Sequence, residues 1–195
     1  MVARDYHIIL ASNSPRRKEL LAGIDVNFDV RVIRDIDESY PASLPTKDIA
    51  EYISRKKATV YRQQMASDEL IITADTIVVH KGEVLGKPHS RQQAFDMLRS
   101  LSGDRHTVFT GVCLKSPERQ VVFTERTDVI FRQLTENVIS HYVDQNSCYD
   151  KAGAYGIQEW IGMVGVERIE GCYYNVMGLP VSRLYCELHQ LIAKS

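Results

Sequence analysis

The pattern of hydrophobic and polar positions divides this chain into short apolar strands and amphipathic helices. Apolar runs and alternating positions predict strands over residues 7–10, 26–32, 70–79, 106–115, 120–131 and 164–169. Apolar residues at helical spacing predict helices over residues 15–21, 47–66, 90–101, 136–144 and 181–193. The residues expected to cap the first four of these helices are, in chain order, Ser14, Thr46, Ser90 and Thr135.

The strand over residues 70–79 contains an acidic residue at its centre. The run is apolar on both sides and rich in β-branched residues, which is typical of a central strand covered on both faces. A buried carboxylate such as Asp75 is costly without a partner or a metal. One interpretation is a structural carboxylate that accepts hydrogen bonds from backbone amides. We favour the other interpretation, in which Asp75 is a catalytic or metal-binding acid.

The turn after the first strand is a candidate anion site. Leu10-Ala11-Ser12-Asn13-Ser14-Pro15-Arg16-Arg17 joins a strand to a helix N-terminus that carries two guanidinium groups in its first turn. Helix N-termini favour anions, and arginine matches phosphate oxygens in pairs. The residues alone leave two interpretations open, a grip for a phosphate chain and an ordinary turn with solvated arginines.

The helix over residues 47–66 carries a lysine on its apolar stripe. Lys57 follows Ile53 by four residues and precedes Val60 by three, so it lies on the inward face. Its ammonium group either reaches a cleft or extends back to solvent along the helix surface.

Two later segments carry further candidate ligands. Lys87 precedes a proline and is therefore held extended, although alone it is an ordinary lysine. The loop over residues 149–158 is rich in glycine and alanine, which permit close approach of a ligand, and its Gln158 amide could read a base edge. The alternative for this loop is a flexible surface segment.

Composition narrows the class of protein. The 195 residues are 44% hydrophobic and 25% charged, with a net charge of −1, so no global field favours nucleic acid or an anionic membrane. The sequence has no membrane-length apolar run and no signal-peptide pattern, so we expect a cytoplasmic protein. Its four cysteines form no C-x-x-C pair, and we expect them to be reduced thiols. Neither a P-loop nor a G-x-G-x-x-G motif is present.

The candidate residues together favour a polyphosphate substrate. Five of them are cations and one is an acid in a nearly neutral chain, namely Arg16, Arg17, Lys57, Lys87, Lys151 and Asp75. Cations and a divalent metal would offset phosphate charge while the acid orients or deprotonates a water. Glu38 could supply a second carboxylate for Mg²⁺.

Five motifs in order resemble the Maf family of nucleoside triphosphate pyrophosphatases. They are the Leu10–Arg17 stretch, Ala74-Asp75-Thr76, Leu85-Gly86-Lys87-Pro88, Asp150-Lys151-Ala152-Gly153-Ala154-Tyr155-Gly156-Ile157-Gln158 and Gly178-Leu179-Pro180. The resemblance covers nearly the whole chain. It implies an α/β fold over residues 1–195, as in inosine triphosphate pyrophosphatases, with two lobes, a long twisted mixed sheet, flanking helices and a central cleft.

The resemblance also implies an activity, the hydrolysis of a nucleoside triphosphate to the monophosphate and pyrophosphate with a divalent metal (Mg²⁺, Mn²⁺ or Co²⁺). The loop ending at Gln158 is similar to that of the subgroup that acts on dTTP and UTP. The family also acts on modified pyrimidine triphosphates, which fits a role in cleansing the nucleotide pool. The implied catalytic acid is Asp75, and Glu38 is implied near the metal. The implied specificity residues are Arg16, Thr76 and Gln158, and the implied phosphate cleft is lined by Ser12, Arg17, Lys57, Lys87 and Lys151.

One departure from the family pattern concerns the base. The family usually has glycine after the position of Gln158, whereas this chain has Glu159-Trp160. This difference puts the base preference rather than the reaction in question. The same reaction on 7-methyl-GTP is therefore one alternative. Another is a septum-formation or cell-division regulator that acts by binding, although near-neutral charge argues against strong nucleic-acid binding. Because the inosine triphosphatase relatives are dimers, a homodimer is also an expectation.

Overall fold

The structure is a computed structural model that describes residues 6–145 and 148–193. Its strands are β1 (His7–Leu10), β2 (Asp29–Val30), β3 (Glu69–His80), β4 (Glu83–Leu85), β5 (Arg105–Lys115), β6 (Gln120–Phe131) and β7 (Val166–Glu170). Its helices are α1 (Pro15–Ala22), α2 (Thr46–Arg62), α3 (Arg91–Leu101), α4 (Glu136–Gln145), α5 (Trp160–Gly165), α6 (Tyr173–Met177) and α7 (Val181–Ala193), with a 3₁₀ turn at Ala152–Ala154. None of the helices in these ranges is long and apolar enough to cross a membrane.

The strands form one mixed sheet. Hydrogen bonding links them in the order β2-β1-β3-β5-β6-β7, and β4 pairs with β3. β1 runs parallel to β2 and β3, with Ile9 opposite both Asp29 and Ile71, whereas β4 and β7 are antiparallel to β3 and β6. The predicted α/β class with a mixed sheet and flanking helices is confirmed.

The chain forms two compact units. The first contains residues 1–75, 110–125 and 178–195, and the second contains residues 76–109 and 126–177. Each unit therefore combines separate parts of the sequence, and strands β3, β5 and β6 each contribute residues to both units.

The sequence predicts most elements correctly. The predicted helix over residues 47–66 ends earlier, at Arg62, and α6 was not predicted. Three further details are wrong. β6 and α7 begin and end as predicted. The second strand is only Asp29–Val30, and residues 160–165 form α5, so the last strand begins at Val166. Thr46 is the first residue of α2 rather than its cap, because Pro45 holds the N-cap position and makes no side-chain cap bond.

In the first unit, one stripe of α2 packs directly on the sheet. The stripe contains Ala50, Ser54 and Lys57, which lie on the same helical face. A Cβ on Gly111 of β5 would lie 2.3 Å from the carbonyl carbon of Ala50, so only glycine permits this approach. Buried Ser54 accepts a 2.7 Å hydrogen bond at its carbonyl from the Thr73 hydroxyl of β3. This bond fixes the position of α2 along β3.

Tyr61 of α2 holds the acidic segment that follows β2. Its hydroxyl donates to the carbonyl of Arg31 at 3.0 Å and accepts from the amide of Ile33 at 2.8 Å. The segment is also tied to β3, because the Arg31 guanidinium pairs with the buried carboxylate of Glu69. That pairing lowers the pKa of Glu69. The Arg31 amide still donates to the carbonyl of Leu10 in β1 at 3.2 Å. Beyond it, Tyr61 takes the Arg31 carbonyl and the Ile33 amide, which explains why the predicted second strand does not continue to Val32.

In the second unit, three rings form a buried cluster. His106 and Tyr155 both meet Phe131 edge to face, with ring centroids 5.1 and 5.0 Å apart. The Nε2 atom of His106 lies 2.6 Å from the Tyr155 hydroxyl, and His106 is 1% exposed. Burial, aided by the charge of His80, lowers the pKa of His106 to about 3. The imidazole is therefore neutral in the folded protein at ordinary pH.

This buried histidine should make the protein sensitive to mild acid. In the unfolded chain His106 binds a proton below about pH 6.5, whereas in the folded chain it binds one only near pH 3. Between these two pH values a fall in pH therefore favours the unfolded chain. We expect His106 to contribute a slope of up to about 1.4 kcal/mol per pH unit to the free energy of unfolding. Urea unfolding at pH 7, 6 and 5 measures this slope.

The comparison variant for this measurement is His106→Gln, which should lose that part of the slope. His141→Gln is the matched control, because His141 is exposed and should leave the slope unchanged. Equal slopes for the wild type and His106→Gln would contradict the expectation.

Candidate active site

The centre of the candidate site is an ammonium group between two carboxylates. Lys57 Nζ lies 2.8 Å from Asp75 Oδ1 and 2.8 Å from Glu38 Oε1. The side chains of Lys57 and Asp75 are both 13% exposed, whereas that of Glu38 is 56% exposed. The lysine therefore extends inward rather than back to solvent, and the described partner of Asp75 is a charged side chain rather than a backbone donor.

The elements around this cluster explain its geometry. Thr73 and Asp75 lie on the same face of β3, because side chains alternate along a strand. Ser54 and Lys57 lie three residues apart on α2 and share a face of the helix. The Thr73–Ser54 hydrogen bond thus brings the next functional position on each element, Asp75 and Lys57, into contact.

Glu38 reaches the cluster through the anchored acidic segment. Tyr61 fixes residues 31–33, and Ile33 and Ile36 pack against the buried cluster that contains Ile9 and Tyr61. Asp37, next to Glu38, binds the neighbouring lysine Lys56 at 2.6 Å. Two consecutive acidic residues therefore pair with two consecutive lysines of α2, but only Lys57 also reaches β3.

Arg17 connects the turn between β1 and α1 to β3 and to the segment that contains Gly178. Its Nε donates to the carbonyl of Gly178 at 2.9 Å, and its Nη1 donates to the carbonyl of Ala74 at 2.9 Å and to the Ser12 hydroxyl at 3.4 Å. Burial lowers the pKa of Arg17, while the charges of Asp75 and Glu38 raise it. Arg17 therefore ties three motifs together beside Asp75, and its predicted contact with phosphate stays a prediction.

The rest of this turn has the predicted local structure. Ser14 caps α1 by accepting from the amide of Arg17 at 3.5 Å, and Pro15 begins the helix. Ser12 is 8% exposed and accepts from the amide of Ser14 at 3.2 Å. Arg16 lies half-buried in the first turn of α1. The turn therefore presents a helix N-terminus with an adjacent guanidinium group, as the anion-site interpretation requires.

The remaining predicted residues belong to the second unit. Thr76 follows Asp75 on β3, so its side chain lies on the other face of the strand. The loop after residue 150 is buried rather than flexible at the surface: Gly153 donates its amide to the carbonyl of Gly86 at 3.1 Å and packs against Val78. This bond places exposed Lys87 next to the loop that carries Lys151 and Gln158.

Lys151 and Gln158 have unequal surroundings. Lys151 is 7% exposed, and its Nζ lies 2.8 Å from Asp150 Oδ1 and 3.0 Å from Glu159 Oε1. In the described residues, Gln158 Oε1 is buried and accepts no hydrogen bond. The lysine is thus balanced by protein carboxylates, whereas the glutamine retains an unused acceptor.

Sequence-based prediction misses Tyr142 in this region, and it misses the contacts of Glu159. Tyr142 of α4 is fully buried and donates its hydroxyl to Glu159, in a short contact. Nothing local marks Tyr142 as more than a core residue, because its partner lies 17 residues further along the chain. The acidic residue after Gln158 is visible in the sequence, but its buried partners are not.

Comparison with known proteins identifies the family. A Bacteroides thetaiotaomicron protein named dTTP/UTP pyrophosphatase is 59% identical over 95% of this chain and 96% of its own length. A Parabacteroides distasonis protein of the same name is 54% identical over 95% of this chain and 96% of its own length. The solved structure of the Staphylococcus aureus Ham1 protein aligns with 64% of this chain and 71% of its own, at 15% identity and a TM-score of 0.46. The sequence profile described as "Maf-like protein" matches residues 7–191, and the chain therefore belongs to this family.

Proposed function

We propose that this protein hydrolyses dTTP and UTP to the nucleoside monophosphate and pyrophosphate. The observation that carries this proposal is the Glu38–Lys57–Asp75 cluster, in which an acid, a cation and a second acid converge on one point. The name of the 54–59% identical relatives supports the choice of nucleotide. The chemistry is the attack of water on the α-phosphorus, with pyrophosphate as the leaving group.

Asp75 is proposed to accept the proton of the attacking water. Its Oδ1 accepts from Lys57 at 2.8 Å, and we assign the proton transfer from water to its Oδ2. Lys57 holds the carboxylate in one orientation and adds positive charge beside the position of the phosphate chain. Fixed charges of this kind stabilise a transition state without reorganising as the reaction proceeds.

Glu38 and Asp75 are the residues that would hold a divalent cation. Lys57 pairs with one oxygen of each carboxylate, so the second oxygen of each is the ligand that a cation beside the ammonium group would use. No group of three or more His, Cys, Asp or Glu residues in the described ranges could hold a metal. A pair of carboxylates completed by phosphate oxygens and water suits Mg²⁺. When bound, Mg²⁺, Mn²⁺ or Co²⁺ would offset negative charge on the phosphate oxygens.

The proposal assigns the other predicted residues to substrate binding. Arg16, Thr76 and Gln158 are proposed to determine which nucleotide is accepted, since an amide and a hydroxyl can hydrogen-bond a base or sugar. Phosphate binding is assigned to Ser12, Arg17, Lys57, Lys87 and Lys151, as the sequence predicts. A homodimer stays an expectation that light scattering of the purified protein checks.

Product analysis on a panel of nucleotides tests the proposed function. The purified protein is incubated with dTTP, UTP, CTP or 7-methyl-GTP and each of Mg²⁺, Mn²⁺ and Co²⁺. Phosphate is then measured with and without added inorganic pyrophosphatase. We expect dTTP and UTP to give the monophosphate, and phosphate to appear only after the pyrophosphatase is added.

Three outcomes of the panel would overturn part or all of the proposal. Direct release of orthophosphate would contradict the site of cleavage. A marked preference for 7-methyl-GTP would support the alternative base with the same chemistry. Absence of hydrolysis on every nucleotide would leave the binding role in cell division as the better candidate.

A further inference from the structure

We propose that Gly178 is a positioning residue of the candidate active site, because its backbone carbonyl holds the Arg17 guanidinium in place beside Asp75. Gly178 begins the Gly178-Leu179-Pro180 motif, to which the proposed function assigns no role. This inference rests on the proposed function, since it concerns how one cation of the same site is fixed.

The first step is that Arg17 holds the backbone of β3 next to Asp75. The pairing of β1 with β3 ends where the amide of Ala11 donates to the carbonyl of Ile72 at 2.8 Å. The carbonyl of Ala74 lies on the same edge of β3, two residues further along. This carbonyl accepts from Arg17 Nη1 at 2.9 Å. The arginine side chain therefore extends the hydrogen bonding of β1 and fastens the peptide group that precedes Asp75.

The second step is that Gly178 holds the same guanidinium at a different nitrogen. Arg17 Nε donates to the carbonyl of Gly178 at 2.9 Å, while Nη1 donates to the carbonyl of Ala74. Two nitrogen atoms of one planar group are thus bonded to two separate segments of backbone, which fixes the position and the plane of the group. A lysine carries a single nitrogen on a flexible stem, so it could not reproduce this geometry.

The third step is that packing fixes the Gly178 carbonyl itself. Gly178 has a φ of 114°, in the region that favours glycine. Residues 178–180 are buried, and the amide of Leu184 donates to the carbonyl of Pro180 at 2.9 Å as α7 begins. Leu184 and Leu188 of α7 are also buried, so the helix anchors this turn in the core. A residue with a Cβ at position 178 would have to rotate the backbone and would move the carbonyl.

The fourth step connects Arg17 to the reacting groups. Its charge interacts with the carboxylates of Asp75 and Glu38, the same two that Lys57 contacts at 2.8 Å. Such charges stabilise a transition state best when they are in place before the reaction, because a mobile guanidinium would have to be ordered as the reaction proceeds. Gly178 removes that requirement. It therefore contributes to the reaction through Arg17 rather than through contacts of its own with the substrate.

A double-mutant cycle on kcat/KM for dTTP tests this inference. Gly178→Ala should lower kcat/KM about tenfold, the scale of one lost hydrogen bond to a charged group. Arg17→Lys should lower kcat/KM by at least as much, since it removes the bonds to both carbonyls. In the Arg17→Lys background, Gly178→Ala has no such bond left to break, so it should change kcat/KM by less than about twofold, the usual error of additivity.

Gly82→Ala is the matched control for the glycine substitution. Gly82 also has a positive φ, of 85°, but it lies in the exposed turn between β3 and β4, where a Cβ would meet nothing within 4 Å. The substitution imposes a similar backbone strain outside the site, and we expect it to change kcat/KM by less than about twofold.

The possible results separate this inference from the proposed function. An unchanged kcat/KM in folded Gly178→Ala, or an equal effect of Gly178→Ala in the wild type and in Arg17→Lys, would overturn the inference alone. A wild-type protein that hydrolyses no nucleotide would overturn the proposed function and this inference with it. If Gly178→Ala does not fold, Arg17→Lys decides. A loss of less than about twofold would show that charge alone suffices and would overturn the inference, whereas a larger loss supports it.

Discussion

Asp75→Asn is expected to lower kcat/KM for dTTP or UTP by about 1,000-fold, within the usual range for loss of a general base. The amide has nearly the shape of the carboxylate, and its oxygen can still accept the hydrogen bond from Lys57. It cannot accept a proton from water at neutral pH. The loss should therefore appear in the rate rather than in the stability of the fold. Initial rates of pyrophosphate release measure the effect, and thermal unfolding shows whether the variant is folded.

Asp37→Asn is the matched control for this substitution. Asp37 also pairs with a lysine of α2, at 2.6 Å, but it makes no described contact with β3. Side-chain and backbone hydrogen bonds from Lys56 and Ser39 lower the pKa of Asp37, so the control removes a charged carboxylate from the same acidic segment. A folded Asp75→Asn protein that retains more than a tenth of the wild-type rate would remove Asp75 from its proposed role.

Lys57→Met should produce the second-largest effect, a loss of about 100-fold or more in kcat/KM, comparable to removing one preorganised donor in other active sites. Methionine preserves much of the apolar stem and removes the ammonium group that links Glu38 to Asp75. Without it, two carboxylates face each other and the Asp75 side chain loses its fixed orientation. Steady-state kinetics on dTTP and UTP, at saturating metal, measures the loss.

Lys56→Met provides the control for this variant, because the two lysines are adjacent on α2. Lys56 pairs with Asp37 and Ser39, and we expect its removal to change kcat/KM by less than about threefold, as for an exposed ion pair. Lys57→Arg adds a second comparison that keeps the charge but changes its shape. Equal losses for Lys56→Met and Lys57→Met would show that α2 contributes only general positive charge.

The local pattern of the sequence predicts elements well where the periodicity is strong. The continuous apolar run of β3, the alternation of β6 and the stripe of α7 each mark one structure over ten or more residues. The same is true of the caps at Ser14 and Ser90, whose side chains accept from the amides of residues three positions later. These features depend on neighbours within one or two turns, so the sequence alone encodes them.

The pattern fails where distant contacts compete with local preference. Val26, Phe28, Val30 and Val32 alternate as a strand should, yet only Asp29–Val30 pairs with β1. Tyr61, about 30 residues away, takes the backbone groups of Arg31 and Ile33 that a longer strand would have used. Likewise, residues 164–165 are predicted as the start of the last strand but form the end of α5.

The candidate residues themselves were visible in the sequence, because a buried acid, an inward lysine and clustered arginines are unusual in their positions. The contacts between these residues were not visible in the sequence. Only the tertiary structure decided that Lys57 reaches Asp75 and Glu38, since this depends on Gly111 and on the Thr73–Ser54 bond between α2 and the sheet. Only the tertiary structure decided that Lys151 pairs with Glu159 and that Tyr142 holds it. Periodicity and charge follow from the order of residues, whereas the pairing of buried charges depends on which surfaces pack together.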